Sequence, residues 1–177
     1  MEISSGRLDI ARQVSSSNCN ERPGREISLI VIHGISLPAG HFGSGYVESL
    51  FCNRLTGREH RDFSGLEKMR VSSHLFIRRS GEVIQFVPFQ LRAWHAGRSE
   101  YQGRSECNDF SVGIELEGTE NGAYANRQYN VLKAICRLMM KTWSIGPEAI
   151  VGHSDIAPGR KYDPGTGFDW KRLRAGL

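Results

Sequence analysis

The chain has 177 residues, a length that fits one domain able to bury a core without disulfide staples. Hydrophobic residues make up 39% and charged residues 24%, which excludes a disordered chain and a membrane-embedded one. Lys plus Arg exceeds Asp plus Glu by 23 to 19, and a net charge of +4 is too mild to predict a nucleic-acid surface; a small anionic ligand suits it as well.

At the start, Glu2, Arg7, Asp9 and Arg12 interrupt every apolar stretch, whereas a secretory signal needs roughly 7–15 uninterrupted apolar residues. No run approaches the ~18 apolar residues of a membrane helix. The expectation is a single cytoplasmic domain over residues 1–177 with no membrane attachment. Cys19, Cys52, Cys107 and Cys136 form no CxxC pair, so they are expected to be free thiols in a reducing compartment, with Cys136 a small core residue.

Residues 27–33, ISLIVIH, are apolar and rich in β-branched side chains, which predicts a buried strand closing on His33. A Gly- and Pro-rich loop follows, then a short helix in YVESLFCNRL. Residues 53–70 are polar and weakly patterned, a long excursion of the kind that often binds ligands. Residues 73–87 predict a hairpin turning at Ser80-Gly81, and the aromatic, arginine and glycine residues of the loop after it suit ligand contact. Residues 111–117, SVGIELE, predict another strand. Residues 127–143 predict a helix with Val131, Ile135, Leu138, Met139 and Thr142 turned inward, Asn126 as N-cap and Gly146-Pro147 ending it. AIVGH at 149–153 resumes a strand closing on His153, and a short helix capped by Asp169 ends the chain. The order is strand, helix, hairpin, strand, helix, strand, helix. It predicts a mixed α/β fold, one central sheet with helices packed on its faces.

Two strands thus end in histidine at the rim of the sheet, where open α/β sheets gather their active sites. Asp163 follows His153 by ten residues, inside GRKYDPG. Two histidines and a carboxylate make a catalytic zinc set that leaves a fourth position for water. The same residues read equally as a hydrogen-bonded surface histidine and an ordinary Asp-Pro-Gly turn, and His41, His60, His74 and His95 compete as ligands. Lys161 lies two residues before Asp163, so in an extended segment it points to the same side and could support an oxyanion; otherwise it is a solvated lysine beside Arg160. Alternation along 111–117 puts Val112, Ile114 and Leu116 on one face and Gly113, Glu115 and Glu117 on the other. Glu115 is therefore either a general base or, with Glu117, a solvent-facing carboxylate. Cys107 near Asp109 offers a nucleophile, with an idle thiol as the commoner outcome.

Taken together, VIHGISLP, HLFIRRSGEVIQFVPF, RAWHAG, CNDFSVGIELEG, VGHSDIAPGRKYDPG and FDW resemble the zinc-dependent N-acetylmuramoyl-L-alanine amidases, from about residue 7 to the end. The chain is most similar to the cytoplasmic members, which cleave anhydromuramyl peptides in cell-wall recycling and are linked to β-lactamase regulation. The resemblance implies a mixed central sheet flanked by helices, shared with peptidoglycan recognition proteins. It implies Zn2+ on His33, His153 and Asp163, Glu115 as catalytic carboxylate, and Lys161 as the cation at the scissile carbonyl. Arg70 would bind a stem-peptide carboxylate, and Trp94 and His95 would line the groove. The partner is a small anhydromuropeptide, with no nucleic acid or membrane, and the chain acts as a monomer. Three positions depart from the pattern: Gly34 stands where asparagine is common, Asp62 where an aromatic is, and Glu106 where an arginine is. Two alternatives accompany this reading: a muropeptide-binding sensor without catalysis, and an exported amidase acting on the polymeric wall.

Overall fold

The computed structural model describes residues 1–177. Six strands form the central sheet: β1 Arg12–Gln13, β2 Leu29–Ile35, β3 Leu75–Ile77, β4 Val83–Gln85, β5 Ser111–Glu117 and β6 Ile150–Gly152. Their spatial order is β6-β2-β5-β3-β4-β1. The β3–β4 hairpin is antiparallel and every other pair is parallel. Four α-helices accompany them: α1 Tyr46–Phe51, α2 Asn126–Trp143, α3 His153–Ile156 and α4 Trp170–Arg174. The mixed sheet, the hairpin and the element order agree with the sequence. The edge strand β1 and the short pairing of Cys19–Glu21 with Leu91–Ala93 do not emerge there, because two or three residues carry no period.

Strand β2 is apolar on both faces, as a strand inside a parallel sheet requires, whereas β5 is apolar on one face only. Ile30, Ile32, Val112, Ile114 and Leu116 pack on one side with α2. Leu29 and Val31 pack on the other with Cys107, Phe110, Val151 and Ile156. A third cluster joins α1 to the hairpin, and Phe63 pins the 53–70 excursion into it, edge-on to Tyr46 at 4.9 Å.

Helix α2 is rotated from the expected face. Its buried residues are Gln128, Tyr129, Leu132, Ile135, Cys136 and Met139, while Val131 and Leu138 are only partly buried and Thr142 is exposed. Hydrophobic counting passes over Gln128, whose side chain donates to the Ile77 and Glu117 carbonyls at 3.0 and 3.1 Å. Asn126 is not the N-cap. Ala125 is, and its N–H donates to Gln128 Oε1 at 2.8 Å, while Asn126 Oδ1 accepts from Arg172 at 2.6 Å and ties α2 to α4. The helix ends at Ser144, in the left-handed region (φ 55°), just before Gly146-Pro147. Asp169 caps α4 as expected, accepting from Arg172 N–H at 2.8 Å.

Arg22 knots the loops behind the site. It is buried and has no carboxylate partner; it donates to the carbonyls of Asn108, Leu91, Ser111 and Phe89 at 2.9–3.2 Å. Burial pulls the guanidinium pKa down to about 10. Arg22→Met strands three carbonyls, since that of Leu91 keeps His74 Nε2 as a donor; each is worth about 1–3 kcal/mol when left unpaired. The expected loss is about 3 kcal/mol or more, a Tm lower by about 6–12 °C in calorimetry for a chain of this size. An unchanged Tm contradicts the knot.

Candidate metal centre

Parallel register brings the site together. Glu115 on β5 is paired with His33 on β2, and β6 lies on the other side of β2. His33 lies inside β2, two residues before its end, and His153 opens α3 immediately after β6. Neither is a strand terminus as expected, because β2 continues to Ile35 and the chain turns into a helix at His153. The Asp163 segment returns beneath α3, where Ser154 N–H donates to the Asp163 carbonyl at 2.9 Å.

His33 Nδ1 and His153 Nδ1 stand 3.0 Å apart, and Asp163 Oδ2 is 3.1 Å from each. Ligands about 2.0–2.1 Å from a tetrahedral zinc are about 3.3 Å apart, so this triangle has the size of one face of a zinc site. The hydrogen bonds assign the tautomers. His153 Nε2 donates to the Ala96 carbonyl at 3.1 Å, leaving Nδ1 without a proton. His33 Nε2 donates to His95 Nδ1 at 2.9 Å, and His95 Nε2 donates to Ser111 Oγ at 3.2 Å. Burial, reinforced by His153, pulls His33 down to about 4 and keeps it neutral. Three lone-pair atoms thus face one point with no proton among them. That donor set fits a divalent cation.

A cavity of about 400 Å³ opens over this triangle. Glu115, Lys161 and Arg160 line it beside the triangle, while Leu37, Leu66, Met69 and Val71 give it an apolar wall. Glu115 is half-buried and turned to the cavity rather than to open solvent: its Oε2 is buried without a partner, and burial together with Asp163 pushes its pKa well above the usual value. Glu117 does not face solvent either; it is buried and accepts from the N–H groups of Gly43 and Arg79 at 2.6 and 3.0 Å. Lys161 reaches the cavity without an ion pair.

Trp94 and His95 line the cavity, His95 with its ring packed over bare Gly113. Arg70 does not line it; it is exposed and donates back to the Glu67 and Met69 carbonyls at 3.0 and 3.1 Å. His74 is a buried structural residue, pulled down to about 3 by burial and Arg22, accepting from Gly113 N–H at 3.1 Å. His41 and His60 sit on outer loops away from the triangle. Asp62 and Glu106 lie outside the cavity, Glu106 paired with Arg92 at 3.4 Å, while Gly34 lines it. Cys107 is buried, and burial raises its thiol pKa, so it is no nucleophile. Sequence reasoning missed the orienting carbonyl of Ala96 and its second donor Arg160, at 2.7 Å. A carbonyl carries no sequence signal.

The mixed sheet thus carries a two-histidine, one-carboxylate cluster that could hold a metal ion, with a glutamate in the same cavity. Residues 23–166 match the N-acetylmuramoyl-L-alanine amidase family. The chain belongs to that family. It is 48% identical over 176 residues to the 1,6-anhydro-N-acetylmuramyl-L-alanine amidase AmpD of Citrobacter freundii, covering 99% of this chain and 94% of that one. It is 47% identical to AmpD of Escherichia coli K12, covering 98% and 96%. Among solved structures, a selenomethionine derivative of AmpD superposes with a TM-score of 0.97 at 47% identity, covering 100% of this chain and 99% of that one.

Titration of the metal-free chain with Zn2+ is expected to saturate at one ion per chain and to raise the Tm. At a free concentration about 100 times Kd the gain is about 2.7 kcal/mol. Asp163→Ala is expected to lose both effects; a variant that keeps them excludes this carboxylate as a ligand.

Proposed function

We propose that this chain hydrolyses the amide bond joining the lactyl group of 1,6-anhydro-N-acetylmuramic acid to the L-alanine of the stem peptide, in peptidoglycan recycling. The observation that carries the reading is the pairing of the His33–His153–Asp163 triangle with a buried, unpartnered Glu115 carboxylate in one cavity. Near full-length identity to the AmpD amidases gives the substrate class. An AmiD amidase of 31% identity, solved with anhydro-N-acetylmuramic acid-L-Ala-D-γ-Glu-L-Lys, shares the fold at a TM-score of 0.64; this chain spans 62% of it. In this reading the 177 residues are one catalytic domain, acting in the cytoplasm as a monomer. No helix is long and apolar enough to cross a membrane.

His33 Nδ1, His153 Nδ1 and Asp163 Oδ2 would hold a zinc ion. Bound there, zinc supplies Lewis acidity, polarising the scissile carbonyl and acidifying a water. Glu115 takes the proton of the attacking water on its carboxylate and delivers it to the departing L-alanine nitrogen. Its raised pKa makes it a stronger base than an exposed glutamate. Lys161, unpaired, holds positive charge where the carbonyl oxygen becomes an oxyanion. His95 and Ala96 orient the two imidazoles, and the apolar wall excludes water from the remainder of the cavity. Trp94 lines the groove beside them.

The test is purified protein with anhydromuramyl-tripeptide, before and after zinc removal. Cleavage lost with zinc and restored on its return is expected, along with little release from intact sacculi. Binding without product points instead to a sensor, and faster release from sacculi to an envelope enzyme. Glu115→Gln is expected to keep zinc and lose about 10²–10⁴-fold in kcat. Lys161→Met is expected to lose about 10²–10³-fold in kcat. Near-normal turnover in either variant removes that residue from the mechanism.

A further inference from the structure

We propose that Tyr124 is a positioning residue for the metal centre, its phenol clamping the peptide that carries Asp163. The proposal rests on the reading of His33, His153 and Asp163 as the zinc set.

Tyr124 lies in the turn before α2, far from Asp163 in sequence, and is 6% exposed. Its ring reaches the site through a slot made by two glycines. Gly34 follows His33 in β2, and Gly118 follows β5 directly. A Cβ on Gly34 would stand 2.1 Å from the Tyr124 hydroxyl, and one on Gly118 would stand 2.2 Å from the ring. No side chain fits at either position while the ring is there. Phe168 holds the ring edge-on at 5.5 Å. The hydroxyl then donates to the Pro164 carbonyl at 2.9 Å, in a buried bond.

That carbonyl belongs to the residue after Asp163. The Asp163 carbonyl is itself held by Ser154 N–H at 2.9 Å. The two consecutive carbonyls of Asp163 and Pro164 are thus fixed, one by α3 and one by Tyr124. An aspartate side chain has only two torsions, so its backbone largely decides where Oδ2 lies. Oδ2 must stay within 3.1 Å of both imidazoles. Groups that orient metal ligands from behind typically contribute about 10–100-fold to metal affinity. Tyr124→Phe keeps the ring packing and removes only the donor.

The test measures Zn2+ affinity by chelator competition, and the visible spectrum of the Co2+-substituted chain, for wild type, Tyr124→Phe and Phe168→Leu. Tyr124→Phe is expected to bind Zn2+ about 10–100-fold more weakly and to shift the Co2+ bands. Phe168→Leu, which loosens the packing but leaves the hydroxyl, is expected to lower the metal-free Tm with affinity retained. Wild-type Zn2+ affinity in Tyr124→Phe overturns the clamp, as does an affinity loss no greater than that of Phe168→Leu. A wild-type chain that binds no Zn2+ overturns the metal assignment itself, and the clamp with it.

Discussion

Three lone-pair atoms, His33 Nδ1, His153 Nδ1 and Asp163 Oδ2, stand 3.0–3.1 Å apart around one point. The opposite ring nitrogens are each engaged elsewhere, which turns both Nδ1 atoms toward that point. Much of the surrounding structure serves to impose this arrangement. The Ala96 carbonyl turns His153, His95 turns His33, and Ser111 turns His95. Arg160 holds the Ala96 carbonyl in turn. Outer partners of this kind fix the two imidazoles in place before any ion is bound.

The sheet makes this possible by register. A one-residue slip between β2 and β5 would send Glu115 to the α2 face and put an apolar residue beside His33. The slip is opposed by apolar packing of both strands over α2 on one face, and of β2 over Phe110 and Ile156 on the other. Bare Gly113 between Ser111 and Glu115 leaves room for the His95 ring against the sheet. The same strand therefore supplies the Glu115 carboxylate, the bed for His95 and the hydroxyl that orients it.

Burial sets the chemistry. It keeps His33 and His95 neutral and raises the Glu115 pKa, so the cavity differs from a solvated ion cluster. Buried groups elsewhere act differently. His74 and Arg22 are also desolvated, yet both His74 nitrogens and the two terminal Arg22 nitrogens bond to backbone groups, and they serve the scaffold.

The sequence by itself determined the element order, the hairpin, the mixed α/β class and the family, because apolar periods, turn residues and ordered motifs are local signals. It also narrowed the candidates to His33, His153, Asp163, Glu115 and Lys161. It left open whether Glu115 met water, since alternation assigns a residue to a face without saying what covers that face. Tertiary structure decided this by folding the 94–96 and 160–163 segments over β5. It also turned α2 toward Leu132 and Cys136, because the buried Gln128 side chain bonds to the β3 and β5 carbonyls. And it set Arg70 outside the cavity, bonded to its own loop. These outcomes depend on contacts between residues distant in sequence, and no local pattern encodes them.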